Sequence, residues 1–172
     1  MYKIFAAVLA LSLTLPASAV SLAQENAANE VVAQKFNIKA LTLDSKSSPY
    51  ALVQSLGEQI FASVSAAKAQ ANGDKQVMRL IVERQLMPYI DVKFASYKIL
   101  GPQLKKSKKS ERELFVDAMQ SNLIDTYSSA LAQYNNQTIN YEPAKDFGNK
   151  KTVAVKTELI SPDQPPVNMT FK

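Results

Sequence analysis

Cysteine and histidine are both missing from this 172-residue chain. Without cysteine there is no disulfide framework and no thiolate chemistry, so the fold rests on its core alone. Without histidine the commonest general base, the commonest metal ligand and every Ser-His or Cys-His nucleophile pair are excluded. Any enzyme built on this sequence would have to use carboxylates, lysine or tyrosine. There is no glycine-rich phosphate loop and no internal repeat. No apolar run reaches the roughly 18 residues that a membrane helix requires.

The longest apolar run, Ile4 to Leu15, lies behind Met1-Tyr2-Lys3 and ahead of Pro16 and Ala17-Ser18-Ala19. A positive start, a short apolar stretch and a small-x-small site in that order predict a secretory signal peptide over residues 1–19, cut after Ala19. Val20 follows that site, and the absence of cysteine excludes a bacterial lipoprotein anchor. The formal charge is +5; loss of Lys3 leaves 19 basic against 15 acidic residues, or +4. A modest positive balance suits an anionic surface or lipid. In an exported protein nucleic acid is not an expected partner. The mature chain is expected in the periplasm, as a monomer.

Residues 20–48 read as a flexible leader, small and polar in SLAQENAANE, with an apolar patch at Phe36, Ile38, Leu41 and Leu43. The domain proper is expected over 49–172. Ser48-Pro49 is a helix-start signal, and Leu52, Val53, Leu56, Ile60, Val64 and Ala67 recur at helical spacing up to Asn72-Gly73. Asp74 can cap a second helix, which Pro88 should kink or end. Asp91 can cap a third, closed by Gly101-Pro102. Ser110 to Glu113 reads as a capping box. It would open a long helix carrying Phe115, Met119, Leu123, Tyr127 and Leu131 at four-residue spacing, ending at Asn135-Asn136. The period then becomes alternating. Strands are predicted at 138–142 and 152–160, and from Val167 onward, with a proline-rich loop at 161–166 between the last two. Helices followed by a meander of strands give an α+β fold with an antiparallel sheet. A sheet of two strands and a short third is marginal, and the chain stops in mid-strand at Lys172. The domain is therefore expected to be C-terminally incomplete.

Among the carboxylates, Glu111 and Glu113 suit the first turn of a helix, and no spacing resembles a metal site. Asp91 and Asp125 are the two that could serve as a buried base. Lys105, Lys106, Lys108 and Lys109 form the one charge run. It reads either as a solvated loop or as a contact for anionic head groups or an acidic partner. The aromatic residues Tyr89, Phe94, Tyr97, Phe115, Tyr127 and Tyr134 are either ordinary core or the lining of a lipid cavity.

The stretch Leu86-Met87-Pro88-Tyr89-Ile90-Asp91, then Phe94, Leu100-Gly101, Arg112, Phe115, Tyr127, Ala130-Leu131 and Pro165-Pro166-Val167 resembles the MlaC family, also known as toluene-tolerance proteins. The resemblance runs from about Pro49 to Lys172. It implies helices packed on a curved antiparallel sheet, like nuclear transport factor 2, holding acyl chains between the two layers. It implies a soluble periplasmic phospholipid carrier with lipid as cargo, no cofactor, no metal and no catalysis. The partners it implies are an outer-membrane lipoprotein-porin complex and an inner-membrane ABC transporter with an MCE-domain subunit, and the role is outer-membrane lipid asymmetry. The lipid-lining positions it suggests are Leu80, Leu86, Tyr89, Phe94, Tyr97, Leu100, Phe115, Met119, Leu123, Tyr127, Leu131, Val153 and Val155. Two departures stand out. Pro102-Gln103 follows Gly101 where the family usually has an aromatic, and the family's closing Trp-containing strand, Glu-Gly segment and final helix have no counterpart before Lys172. The alternatives are a small periplasmic enzyme using Asp91 or Asp125 on a similar cone, and a lipid-free envelope interaction module.

Overall fold

The computed structural model describes residues 17–44, 47–71, 74–162 and 164–172. The expected signal-peptide stretch up to Pro16 and the Asn72-Gly73 helix end lie outside the described residues. Among the described residues five α-helices precede three strands: α1 (Ala17–Lys35), α2 (Pro49–Ala71), α3 (Lys75–Ile81), α4 (Val92–Leu100), α5 (Lys109–Ala132), β1 (Thr138–Tyr141), β2 (Val155–Ser161) and β3 (Gln164–Phe171). The α+β class is as expected. Among the described residues no helix is long and apolar enough to cross a membrane.

The segment expected as a loose leader contains α1 instead. Its alanines, glutamines and glutamates are good helix formers, and its end is closed by a complete C-terminal motif. Asn37 takes a left-handed conformation (φ 53°). Ile38 N–H donates to Ala33 O at 2.8 Å, and Asn37 N–H to Gln34 O at 3.2 Å. This is the paired hydrogen-bond pattern of a Schellman cap, which usually carries an apolar residue just beyond it. Here that residue is Ile38, and both it and Ala33 are buried in the helical core. Arg84 bridges to Glu30 at 2.6 Å, and Gln76 Nε2 donates to Asn29 Oδ1 at 3.0 Å, tying α1 across to α3 and the turn beyond it.

The remaining helix starts follow from their caps. Ser48 Oγ accepts from Ala51 N–H at 3.2 Å. Asp74 Oδ1 accepts from Gln76 and Val77 N–H at 2.7 and 3.2 Å, and Asp91 Oδ1 from Phe94 N–H at 2.9 Å. Each satisfies a backbone donor that the first helical turn leaves orphaned. Gly101, at φ 50°, stops α4 as predicted. α5 begins one residue before the predicted capping box: its first residue is Lys109, and the Glu111 carboxylate accepts the Lys108 N–H at 2.7 Å. Pro88 acts over two turns. The helix widens to a π-turn at Val82–Leu86, where Met87 N–H reaches Val82 O, and then tightens to a 3-10 turn at Met87–Tyr89. A proline offers no N–H and its ring crowds the carbonyl four residues back, so the helix must open before it.

Two apolar clusters form the helical core. The first gathers Ala33, Ile38, Ile60, Val64, Ala67, Val77, Met78, Leu80 and Ile81 from α1, α2, α3 and the segment after α1. The second gathers Val82, Met87, Val92 and Ile124, and Leu86 and Leu131 pack against both. At the far end of α5, the Tyr134 ring lies 5.0 Å from Phe61, and Lys68 Nζ donates to Tyr134 O.

The sheet runs β1-β2-β3, antiparallel throughout. Tyr141 pairs with Thr157, Thr157 with Met169, and Val155 with Phe171. The predicted proline-rich loop is shorter than read from sequence: β3 starts at Gln164, so Pro165 and Pro166 lie within the strand, and the register shifts between Leu159 and Ser161. β3 borders the described sheet, so one of the two adjacent prolines can face its open side, and the other falls at the register shift, where the ladder is already interrupted.

Two side chains fasten the segment after α1 to the rest: Gln85 Nε2 donates to Lys39 O at 3.0 Å, and Tyr89 holds the stretch beyond it. The Tyr89 hydroxyl donates to Leu41 O at 2.8 Å and accepts from Leu43 N–H at 3.1 Å. Tyr89→Phe should therefore cost about 1 kcal/mol, a half-buried carbonyl and N–H losing one partner each. Urea denaturation checks the magnitude, and amide exchange at Leu43 should accelerate more than at Ile81. Unchanged exchange at Leu43 would show that the tether is not made.

Candidate functional site

Alternation along the strands sorts their side chains onto two faces. With the observed register, Ile139, Tyr141, Val155, Thr157, Leu159, Val167, Met169 and Phe171 share one face. Asn140, Lys156, Glu158, Asn168 and Thr170 share the other. The first is nearly all apolar; the second is polar except for Ile160, paired with Thr138 at its end, as expected for a sheet with one wet side.

The apolar face looks toward α2. A Cβ on Gly57 would lie 2.2 Å from the Tyr141 hydroxyl and 3.5 Å from Ile139 Cδ1. Glycine at this helical position therefore lets the sheet approach the helix backbone. Burial pushes the Tyr141 phenol above its ordinary range, and the nearby Glu58 carboxylate adds to it. Where strand β2 leaves the shelter of the helix, the polar face is clamped by Glu142. Its carboxylate accepts from Lys145 Nζ at 2.5 Å and Lys156 N–H at 2.7 Å. These contacts, the Lys145 one first, hold the Glu142 carboxyl below the usual carboxylate range.

Cover over the apolar face is uneven. Val155 and Thr157 are buried, Ile139, Tyr141, Leu159 and Met169 half-buried. On β3, Val167 is 51% exposed and Phe171 39%. The result is an apolar strip on β3, in register with a buried strand but open to solvent. Thr157 Oγ1 is buried on this face without a hydrogen-bond partner among the described residues.

The residues read from sequence as lipid-lining are distributed more widely. Leu80 lies in the first helical cluster, and Leu86, Met119, Leu123 and Leu131 meet at or beside the second. Tyr89 is turned to the segment after α1. Tyr97, Leu100 and Phe115 are half-buried on α4 and α5, and Val153 is half-buried just before β2. Val155 is buried on the apolar sheet face. Phe94, 59% exposed, and Tyr127 face solvent. Two concavities among the described residues contain none of the thirteen. One, of about 440 Å³, lies among Glu30, Gln34, Asn37, Lys39 and Arg84; the other, of about 270 Å³, lies on the wet face of the sheet beside Glu142 and Glu158.

The residues that sequence reasoning did not assign to the site are Ile139, Tyr141, Thr157, Leu159, Val167, Met169 and Phe171. Their signal was present as the alternation in the predicted strands. On α5 the inward positions Ile124 and Ser128 were also passed over, because a strict four-residue stripe tracks one residue away from them.

The carboxylates do structural work. Asp91 is exposed and caps α4; Asp125 is exposed and pairs with Arg79. Neither is the buried base that the enzyme alternative requires. Among the described residues no three His, Cys, Asp or Glu side chains are grouped to hold a metal.

The family model described as MlaC protein matches residues 54–172. The chain belongs to the MlaC family. It is 28% identical over 132 residues to the intermembrane phospholipid transport system binding protein MlaC of Haemophilus influenzae, covering 76% of this chain and 62% of that protein. It is 27% identical over 110 residues to the toluene tolerance protein ttg2D of Pseudomonas putida, covering 63% and 51% respectively. This MlaC-family chain thus spans about half to three-fifths of those two relatives. A phospholipid-binding protein from Ralstonia solanacearum, solved in complex with a phospholipid, shares the fold: TM-score 0.64, 22% identity, 73% of this chain and 69% of that one.

The close approach at Gly57 generates a prediction. Gly57→Ala should destabilise the protein by about 1–3 kcal/mol, the usual cost of overpacking, and Tyr141→Phe in the same chain should recover part of the loss. A double-mutant cycle by thermal denaturation measures the coupling. Additive effects would show that the sheet does not rest on this contact.

Proposed function

We propose that this chain is a periplasmic phospholipid carrier of the MlaC type, with acyl chains lying along the apolar sheet face beneath α2. The observation that carries this reading is the strip Val167, Met169 and Phe171, apolar and incompletely covered beside buried Val155 and Thr157. A phospholipid has about 30 methylenes, each worth about 0.8 kcal/mol out of water. A carrier has to match that driving force with apolar wall, and it needs no catalytic group to do so. The names of the relatives and the lipid held by the Ralstonia protein support the same cargo.

The partners follow from the family: an outer-membrane lipoprotein-porin complex at one end of the route, and an inner-membrane ABC transporter with an MCE-domain subunit at the other. The carrier's role in that system is outer-membrane lipid asymmetry. The half-buried residues of α4 and α5, Tyr97, Leu100, Phe115, Met119 and Leu123, would form the opposite wall of the lipid space.

Extraction of the purified protein and mass spectrometry of the extract tests the cargo. Phospholipid should co-purify with the native chain. Met169→Asp should lower the bound lipid by about tenfold or more, because a charge left in an apolar wall costs several kcal/mol and each 1.4 kcal/mol is tenfold. Thr170→Asp places the same charge on the same strand but on the wet face, and should leave loading unchanged. Equal lipid in the two variants would contradict the placement.

A further inference from the structure

Between Val92 and Ser110 the chain carries six lysines, at 93, 98, 105, 106, 108 and 109, with no arginine and no acidic residue. All six side chains are exposed. Among the described residues Lys109 pairs with Glu113 at 3.6 Å, and none of the other five is in an ion pair. The same segment displays large apolar side chains to water: Phe94 is 59% exposed and Ile99 61%. On α4 the inward positions are Val92 and Ser96. A step of 100° per residue then puts Phe94 at the centre of the outward face, Lys98 close beside it and Lys93 at its edge; Ile99, seven residues after Val92, lies toward the inward side and is exposed in the last turn of the helix. Lys98 Nζ lies 5.4 Å from the Phe94 ring centroid, and Lys93 Nζ 5.8 Å from that of Tyr97. The lysine stems thus lie along the aromatic surface with their charged ends beside it.

We propose that the outward face of α4, with the lysine-rich turn that follows it, docks on an anionic phospholipid bilayer. The pattern is that of an interfacial helix: exposed aromatic and aliphatic side chains beside ammonium groups. The cation type decides between a bilayer and a protein partner. Protein interfaces favour arginine, whose planar fork fixes bidentate pairs, and are depleted in lysine. A laterally mobile field of head-group phosphates asks only for point charges, which lysine supplies. Six lysines without an arginine fit the bilayer. The exposed carboxylates nearest to it, Asp91, Glu111 and Glu113, lie at its two ends, outnumbered by the six lysines between them. The docking face is separate from the apolar face of the sheet, so it stands or falls independently of the cargo.

The chain contains no tryptophan, so Phe94→Trp gives a single reporter at an exposed position. The full-length protein should float with vesicles of equimolar phosphatidylglycerol and phosphatidylethanolamine. It should bind vesicles of pure phosphatidylcholine about tenfold less, and lose the anionic vesicles as salt rises from about 0.1 M to about 1 M, where the screening length drops from ~10 to ~3 Å. Lys98→Gln, Lys105→Gln, Lys106→Gln and Lys108→Gln combined should reduce flotation by about tenfold. The Phe94→Trp emission should shift to the blue on anionic vesicles and be quenched by brominated acyl chains, both reversing when the vesicles are removed. Equal binding to neutral and anionic vesicles overturns the proposal, as does full binding by the fourfold variant. Quenching that persists after vesicle removal also overturns it, because it places residue 94 against a carried lipid. Ile99→Trp repeats the measurement should the first variant not fold.

Discussion

The sheet is held against the helices by α2, and the closeness of that contact is set by a side chain that is not there. At Gly57 the helix backbone meets Tyr141 and Ile139 directly, which fixes how near β1 and β2 can lie. From this seam the cover decreases strand by strand. Thr157 and Val155 on β2 are buried, while Val167 and Phe171 on β3 reach water. The antiparallel register keeps all of these on one face, so the gradient of exposure runs across a continuous apolar surface. A closed core would bury that surface. A lipid site needs it present, in register and accessible.

Much of the frame was legible in the sequence because it depends on local chemistry. Ser48, Asp74 and Asp91 cap backbone donors within three residues of themselves, and Gly101 takes up a left-handed conformation that the sequence Gly-Pro announces. The period change after Tyr134 gave the three strands and hence the α+β class. What was not legible depends on distant partners. SLAQENAANE reads as polar leader until Ile38 is seen to close the helix and enter a core built from α2 and α3. Tyr89 reads as a pocket aromatic until its hydroxyl is seen bonded to Leu41 and Leu43, more than forty residues away. The α5 stripe places side chains on one broad side. Packing against the π-turn and Val92 then selects Ile124 within it, one residue from the stripe. For the same reason the residues expected on the helices as lipid-lining are spread over several surfaces, whereas alternation with period two puts Val155 on one face with its strand neighbours.

Charge is kept off the apolar face of the sheet. The open strip on β3 carries no charge on its own face, and its clamp Glu142, with Lys145 and Lys156, belongs to the other side. The lysines of α4 and the turn after it belong instead to the segment that exposes Phe94, with Lys98 lying against its ring. A bare apolar face suits the tails of a phospholipid, and a basic face with outward aromatics suits head groups. A carrier that has to leave a membrane with its cargo uses both, on different surfaces.

The central claim is that acyl chains lie on the sheet face that includes Val167 and Met169. Methyl NMR of protein loaded with a phospholipid spin-labelled on its acyl chain tests it most directly. Paramagnetic broadening should be strong at Val167, Met169 and Leu159 and at the Thr157 methyl, and weak at Val64 and Ile81 in the helical core. Broadening centred on the helical core, with the strand methyls unaffected, would contradict the account.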